Sequence, residues 1–292
     1  MGNEGMQAAR SSDFAIGEFR HLKKLLAVHG RHSCLRTSEL IKYSFFKNIC
    51  FCSPQVVYFF YTLFSSTTIY SAWIILGFNI IFTGLPPFAL AIFEKDLTHD
   101  VISLYPELYC TSDRKQPLSL WSFFVWELQA FLQGVVLTLG IIYSMASFQT
   151  APYVEDGKVA SADGVGMLLA EAVVWAVTLK IIVFLRHWTI ITHVCIWLSL
   201  FAFYMVLLIL NTFFCPLSAF GDSNPVSTCG TVDNEVLRST HSWLVVILWV
   251  SVVLLSDVAV AYIRRTFYPQ PWQILQEELI LNQGARLRRA TE

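Results

Sequence analysis

The sequence predicts an all-α, polytopic membrane protein with six transmembrane helices, and three observations carry that prediction. Hydrophobic residues make up 55% of the 292 and charged residues only 14%, with nine Trp and 23 Phe, which is too apolar for a soluble domain of this size. Six segments reach the roughly 20 apolar residues of helix that a hydrocarbon core requires. Lys and Arg fall almost wholly on alternate sides of those segments, as a multi-span topology demands.

Residues 1–42 are polar and read as a soluble segment that runs into the membrane without a linker. Within them Phe19, Leu22, Leu25 and Leu26 recur at helical spacing opposite Arg20, Lys23 and Lys24, and Gly30 is expected to stop this amphipathic helix. Such a helix is an ordinary soluble element, or one lying on the inner leaflet, where each Lys or Arg near anionic lipid contributes roughly 1 kcal/mol. His29 and His32 then read as surface residues near the helix end. The first forty residues mix Asp, Glu, Arg and Lys with apolar positions, so no secretory signal peptide is expected and insertion begins at an internal span.

The predicted spans are residues 43–64, 69–93, 118–148, 164–185, 190–214 and 243–263, followed by a tail, 264–292, patterned as a short helix after a Pro-containing turn. Seven Lys and Arg between Arg10 and Lys42 precede the first span. Lys95, Arg114 and Lys115 separate the second from the third, Arg186 the fourth from the fifth, and Arg264, Arg265, Arg286, Arg288 and Arg289 follow the sixth. The other three loops hold only Lys158 and Arg238, so both termini are expected to be cytoplasmic. The net charge of -1 does not select acidic or basic partners, and no nucleic-acid partner is expected.

Of seven Cys, Cys34 and Cys110 fall on the expected inner side, Cys50, Cys52 and Cys195 within or beside spans, and Cys215 and Cys229 outside. Cys215 and Cys229 bracket a loop long enough to close as a disulfide, and two free thiols fit equally well. The C-x-C at Cys50 and Cys52 has no His or carboxylate beside it and reads as part of an apolar helix, with no metal.

The candidate chemistry lies in polar residues where lipid should be. Lys47 and Asn48 interrupt an apolar run, and an ion at membrane depth costs roughly 2.5 to 3.5 kcal/mol on the insertion scale. Lys47 either snorkels to the near interface or serves a function, and position alone leaves both open. In the second span, steps of four and three put Asn79, Thr83 and Pro86 on roughly one face, while Pro86 and Pro87 remove backbone donors in mid-membrane. Carbonyls left open near Thr83 would be tolerated only against protein or a wet cavity, so a hydrated groove between the first two spans is expected. Glu127, Gln129, Gln133, Glu171, Lys180 and Asp257 read as scattered helix-to-helix contacts or interfacial residues.

The residues also carry a family likeness. The opening G-x-E-G-x-Q-A-x-x-S-S-D run, leading through L-x-x-L-L-x-x-H-G-R into the first span, resembles the end of the phosphorylation domain and the fifth membrane helix of P-type ATPases of the phospholipid-flippase subfamily. Lys47-Asn48, the N-x-x-x-T-x-x-P pattern of Asn79, Thr83 and Pro86, and the Y-P-x-L-Y element at Tyr105 to Tyr109 extend the resemblance, with Ala91 standing where Gly is frequent. The likeness implies that the six spans correspond to the last six membrane helices of such a pump, with Lys47, Asn48, Asn79, Thr83, Pro86 and Pro87 along the lipid path. It implies a parent activity that drives phospholipid from the outer to the cytoplasmic leaflet with ATP and magnesium. It also implies a small two-span accessory subunit contacting the loop from Cys215 to His241, and residence in the plasma membrane or an endomembrane of a eukaryotic cell.

The chain holds no D-K-T-G-T acceptor motif, no nucleotide-binding domain and no G-D-G-x-N-D run, so it is expected to contain no catalytic residue, bind no cofactor and not hydrolyse ATP alone. One reading of Met1 is that it replaces an interior codon of a longer frame. Two other classes remain: a non-enzymatic membrane protein that binds the accessory subunit, and a six-span channel or carrier, against which stands the absence of repeat symmetry.

Overall fold

A computed structural model describes residues 10–105, 118–146, 162–210 and 239–291, and every regular element among them is helical. The chain enters through α1 (His21–Lys24), a π-helical turn (Leu25–Gly30) and α2 (Arg31–Tyr61). Gly30 does not stop the helix. Its backbone is helical (φ -61°, ψ -44°), and the wider π turn carries the ladder through it, so the polar segment and the first predicted span share one helical rod. That rod ends at Tyr61, three residues before the predicted Phe64, because Leu63 and Phe64 turn into the left-handed region (φ 53° and 61°). Gln55 pins the turn that follows: its carbonyl oxygen accepts from Ile69 N at 2.9 Å and its amide donates to the Thr67 carbonyl at 3.1 Å.

The second predicted span consists of α3 (Ala72–Gly77), a π-helical segment (Phe78–Phe82) and α4 (Leu85–Phe93). A short α5 (His99–Leu104) precedes α6 (Leu120–Ala146), α7 (Ala162–Phe184), α8 (Ile190–Ile209), α9 (Thr240–Phe267) and α10 (Pro271–Thr291). Thr189 caps α8 reciprocally with Thr192, so two amide donors at that helix start are satisfied by side chains.

Five of these stretches are long and apolar enough to cross a membrane: Ala72–Phe93, Leu120–Met145, Asp163–Phe184, Ile190–Ile209 and Thr240–Phe267. The first predicted span is the exception. Its stretch of α2 is interrupted by Lys47, Asn48 and Gln55, which lower its apolarity below that of the other five.

α7 stands at the centre and touches α2, α4, α6, α8 and α9. Its residues from Met167 to Val177 are buried almost without interruption, which suits a helix that is apolar all round. In lipid such burial brings no transfer free energy, so close packing must hold the bundle together. Gly134 of α6 shows how close: a Cβ there would stand 2.5 Å from Ser53 Cβ and 2.9 Å from the Cys50 carbonyl of α2. That carbonyl is the one whose helical donor Pro54 removes.

The end of the bundle that carries the first described residues and α10 has its own small core of Val28, Leu97, Ile102 and Leu275, flanked by Trp272 and Leu279. Beside it Arg31 binds both carboxylate oxygens of Asp96, with Nη1 to Oδ1 at 2.9 Å, and Gln276 of α10 donates to the Asp96 carbonyl. Both side chains of the pair are buried, a setting in which removing one partner costs about 3–5 kcal/mol. His32 is buried as well, with Nδ1 3.7 Å from Asp96 Oδ1, and is therefore not the surface residue that the sequence suggests. Arg36 Nε donates to the Glu94 carbonyl at 2.6 Å, and Arg186 N donates to Glu94 Oε1 at 3.0 Å.

Burial pulls His32 down from 6.5 to about 4 against the opposing charge of Asp96. Burial pushes Glu94 up from 4.5 to about 7 despite the Arg186 amide. A depressed His contributes stability that is complete above its unfolded pKa and is lost as pH falls towards its folded one, whereas a raised Glu contributes stability that is complete at low pH and is lost as pH rises through its folded pKa. The two slopes oppose each other between pH 4.5 and 6.5. Relative to the parent protein, Glu94→Gln should therefore show an unfolding temperature in detergent that climbs more steeply over that interval, and His32→Gln one that climbs less; parallel curves for all three would refute the assignment. Gly134→Ala should cost about 1–3 kcal/mol of stability by forcing α2 and α6 apart, read as a lowered midpoint in the same assay.

Candidate functional site

The break in the second span is built from its prolines. Pro86 and Pro87 lie in the first turn of α4, where a missing amide would ordinarily cost nothing because it has no helical partner. Here a helical segment precedes that turn. The two prolines therefore leave the carbonyls four residues back, Phe82 and Thr83, without the donors that a continuous helix would supply. Both are met from other helices. Ser199 of α8 donates its hydroxyl to the Phe82 carbonyl, and Lys47 of α2 brings Nζ to 3.5 Å from the Thr83 carbonyl and 3.3 Å from Thr83 Oγ1. The Thr83 hydroxyl donates in turn to the Phe78 carbonyl at 2.5 Å, which also accepts from Thr83 N at 3.1 Å. Gly84 admits this tight path, since a Cβ would fall 2.5 Å from the Ile80 carbonyl.

Lys47 is 7% exposed, and its ammonium turns inward onto the break rather than outward along its stem. Nζ stands 6.0 Å from the Phe78 ring, and among the described residues no carboxylate forms an ion pair with it. The structure thus brings together Lys47, Thr83, Pro86 and Pro87. Asn48 and Asn79 are exposed, so the single face expected for Asn79, Thr83 and Pro86 does not form: the π-helical segment and the turn at Thr83 and Gly84 displace Asn79 from it. The carbonyls expected to be open are occupied by side chains.

Two features go beyond the sequence expectations: Ser199, and the convergence of Gln129, Gln133, Lys180 and Asp257, which read in sequence only as scattered helix-to-helix contacts or interfacial residues. Ser199 carries no signal in sequence, being a small hydroxyl in an apolar helix. The second feature is a polar cluster one helix behind Lys47. Asp257 Oδ1 of α9 accepts from Lys180 Nζ of α7 at 2.9 Å and from Gln133 and Gln129 of α6 at 2.7 and 2.5 Å, and Lys180 also donates to Gln133 Oε1 at 3.2 Å. Lys180 and Asp257 are each 1% exposed. The Lys180 ammonium sits 3.6 Å from the centroid of Phe46, with Trp126 and Phe184 at 5.0 and 5.6 Å; a cation over a ring away from water contributes about 2 kcal/mol. Opposite charges, Lys180 and Asp257, on two strongly apolar spans, and two Gln four residues apart on a third, were the available signal. Glu171 stands apart, accepting from Tyr204 OH at 2.6 Å, which itself accepts from Trp175 Nε1 at 2.7 Å.

Cys50 is buried and Cys52 exposed, both as free thiols within α2, and no group of three or more metal-ligating side chains gathers among the described residues. Cys215 and Cys229 lie outside the described residues.

Apolar spans packed around a central helix, one of them broken in mid-span with a lysine turned onto the break, define an integral membrane protein. The relatives name the kind. Residues 9–270 match the family described as Phospholipid-translocating P-type ATPase C-terminal, and the chain belongs to it. It is 34% identical over 264 residues to human Phospholipid-transporting ATPase IG, covering 90% of this chain and 22% of the relative. It is 33% identical over 277 residues to human Phospholipid-transporting ATPase IH (94% and 24%), and 31% identical over 280 residues to Probable phospholipid-transporting ATPase 5 of Arabidopsis thaliana (94% and 22%). The chain therefore spans less than a quarter of the length of these relatives.

Thr83→Val keeps the volume of the side chain but removes both the acceptor for Lys47 and the donor to Phe78. It should cost about 1–3 kcal/mol in thermal unfolding, whereas Thr83→Ser should stay close to the parent.

Proposed function

We propose that this chain is the C-terminal membrane part of an ATP-driven flippase that moves phospholipid from the outer to the cytoplasmic leaflet, with the Lys47 site on the lipid path. The observation that carries the reading is the inward Lys47 ammonium, bound to a threonine hydroxyl and a carbonyl and paired with no carboxylate among the described residues. A cation at membrane depth with spare donor capacity suits the phosphate of a phospholipid headgroup, which makes charge-assisted hydrogen bonds with ammonium groups. Thr83 and the Pro86-Pro87 turn would shape the groove, with Asn48 and Asn79 available on exposed surfaces beside it.

In this reading the membrane-facing part of α2 counts as a sixth span, made tolerable by the burial of Lys47 against protein. The Lys and Arg distribution supports a cytoplasmic placement of both ends of the chain in this reading. A small two-span subunit would engage the outer loop between Cys215 and His241. The sequence carries no D-K-T-G-T motif through which ATP and magnesium would act in this reading. The phosphoryl chemistry of the proposed pump accordingly lies in segments beyond this chain, and the chain alone would not hydrolyse ATP.

In a full-length pump carrying this region, Lys47→Ala should raise the concentration of phospholipid needed for half-maximal ATP hydrolysis by about tenfold, the loss of one charge-assisted contact, with expression unchanged. Lipid stimulation identical to the parent would sink the headgroup role.

A further inference from the structure

We propose that Lys180, held by Asp257, is a positioning residue for Lys47, acting through the ring of Phe46. The inference rests on the lipid-path reading above and extends it to a second group of residues that do not touch the lipid.

Phe46 and Lys47 are successive residues of α2, so they point about 100° apart around the helix, and whatever fixes the direction of one fixes the other. Phe46 is 1% exposed, with the Lys180 ammonium 3.6 Å from its ring centroid and Trp126 edge-on at 5.9 Å. Lys180 cannot follow a turning ring, because Asp257 of α9 and Gln133 of α6 hold its ammonium at 2.9 and 3.2 Å. One turn before, Tyr43 OH donates to the Val177 carbonyl of α7 at 3.0 Å, giving a second fixed point on the same helix pair. Three helices thus lock the rotation of α2, and at that rotation Lys47 meets Thr83. Cys50, one turn after Phe46, is fully buried in this orientation while Cys52 is exposed, so the chain carries its own reporter of the rotation.

A cluster that merely glues helices together predicts something different. Replacing a buried ion pair by apolar residues of similar volume commonly preserves a fold, so Lys180→Met with Asp257→Leu removes the cation from Phe46 without leaving a lone charge. Phe46→Leu removes the ring and leaves the ion pair intact. Positioning predicts the same outcome for both. With phosphatidylserine in phosphatidylcholine-containing detergent micelles, KM for phosphatidylserine in the full-length pump should rise about tenfold with kcat within about twofold, the signature of lost binding rather than lost chemistry. Combining the two changes should add nothing further, and Lys180→Arg, which keeps a cation over the ring, should restore the parent KM. In the isolated 292-residue chain, N-ethylmaleimide labelling of Cys50 relative to Cys52 should increase in both variants and not in Lys180→Arg.

An unchanged KM in Phe46→Leu, with Lys47→Ala still impaired, would overturn the positioning role and leave the lipid path standing. If Lys47→Ala has no effect, the lipid-path reading itself fails and this inference with it, whatever the thiol labelling shows. Should the double variant not accumulate, Phe46→Leu decides alone.

Discussion

In a bilayer, a carbonyl without a donor is a structural liability worth several kcal/mol, and the bundle is arranged around two of them. Pro86 and Pro87 strip the donors from Phe82 and Thr83 in succession, and a hydroxyl from α8 and an ammonium from α2 take their place. The broken span is thereby tied to two of its neighbours, α2 and α8. Those ties also hold Lys47 inside, since its ammonium is tolerated at depth because those oxygens are there to receive it. Prolines and lysine, each costly alone, offset one another.

The same economy recurs behind α2. α7 is apolar enough to bury on every side, yet two charged side chains lie buried in it: Glu171 is met by Tyr204 of α8, and Lys180 is answered from α6 and α9. Since packing in lipid lacks a solvent-driven force, these polar contacts and the close approach at Gly134 supply much of what makes the helix arrangement unique. Opposite-sign groups on separate helices specify which faces meet, whereas Leu and Val alone would accept many.

At the end of the bundle where α10 docks, Arg31, His32, Arg36, Glu94, Asp96 and Gln276 join the start of α2 to the residues following α4 and to α10. The helical ladder from His21 to Tyr61 continues through Gly30, so that end and Lys47 belong to one rod. In the proposed pump this rod would couple the soluble domains to the lipid path.

Much of this was legible in the sequence. Helical class, five of the six expected spans and the family follow from composition, from run lengths and from motifs such as Lys47-Asn48, because the bilayer imposes a length and an apolarity that a chain must display locally. The proline break and the singular position of Lys47 were equally visible. Local sequence did not decide how those signals resolve. Gly30 carries a stop signal that the π turn overrides, Asn79 shares a face with Thr83 only in an ideal helix, and a lysine near a membrane interface can face either way. Residues distant in the chain decided each case: Asp96 lies 65 residues from Arg31, Thr83 36 from Lys47, and Asp257 77 from Lys180. The sequence by itself determined the helical class, five long apolar stretches and where polar groups burden them. Tertiary structure alone decided which of those groups neutralise one another, because the free energy of a buried charge depends on partners that no local pattern specifies.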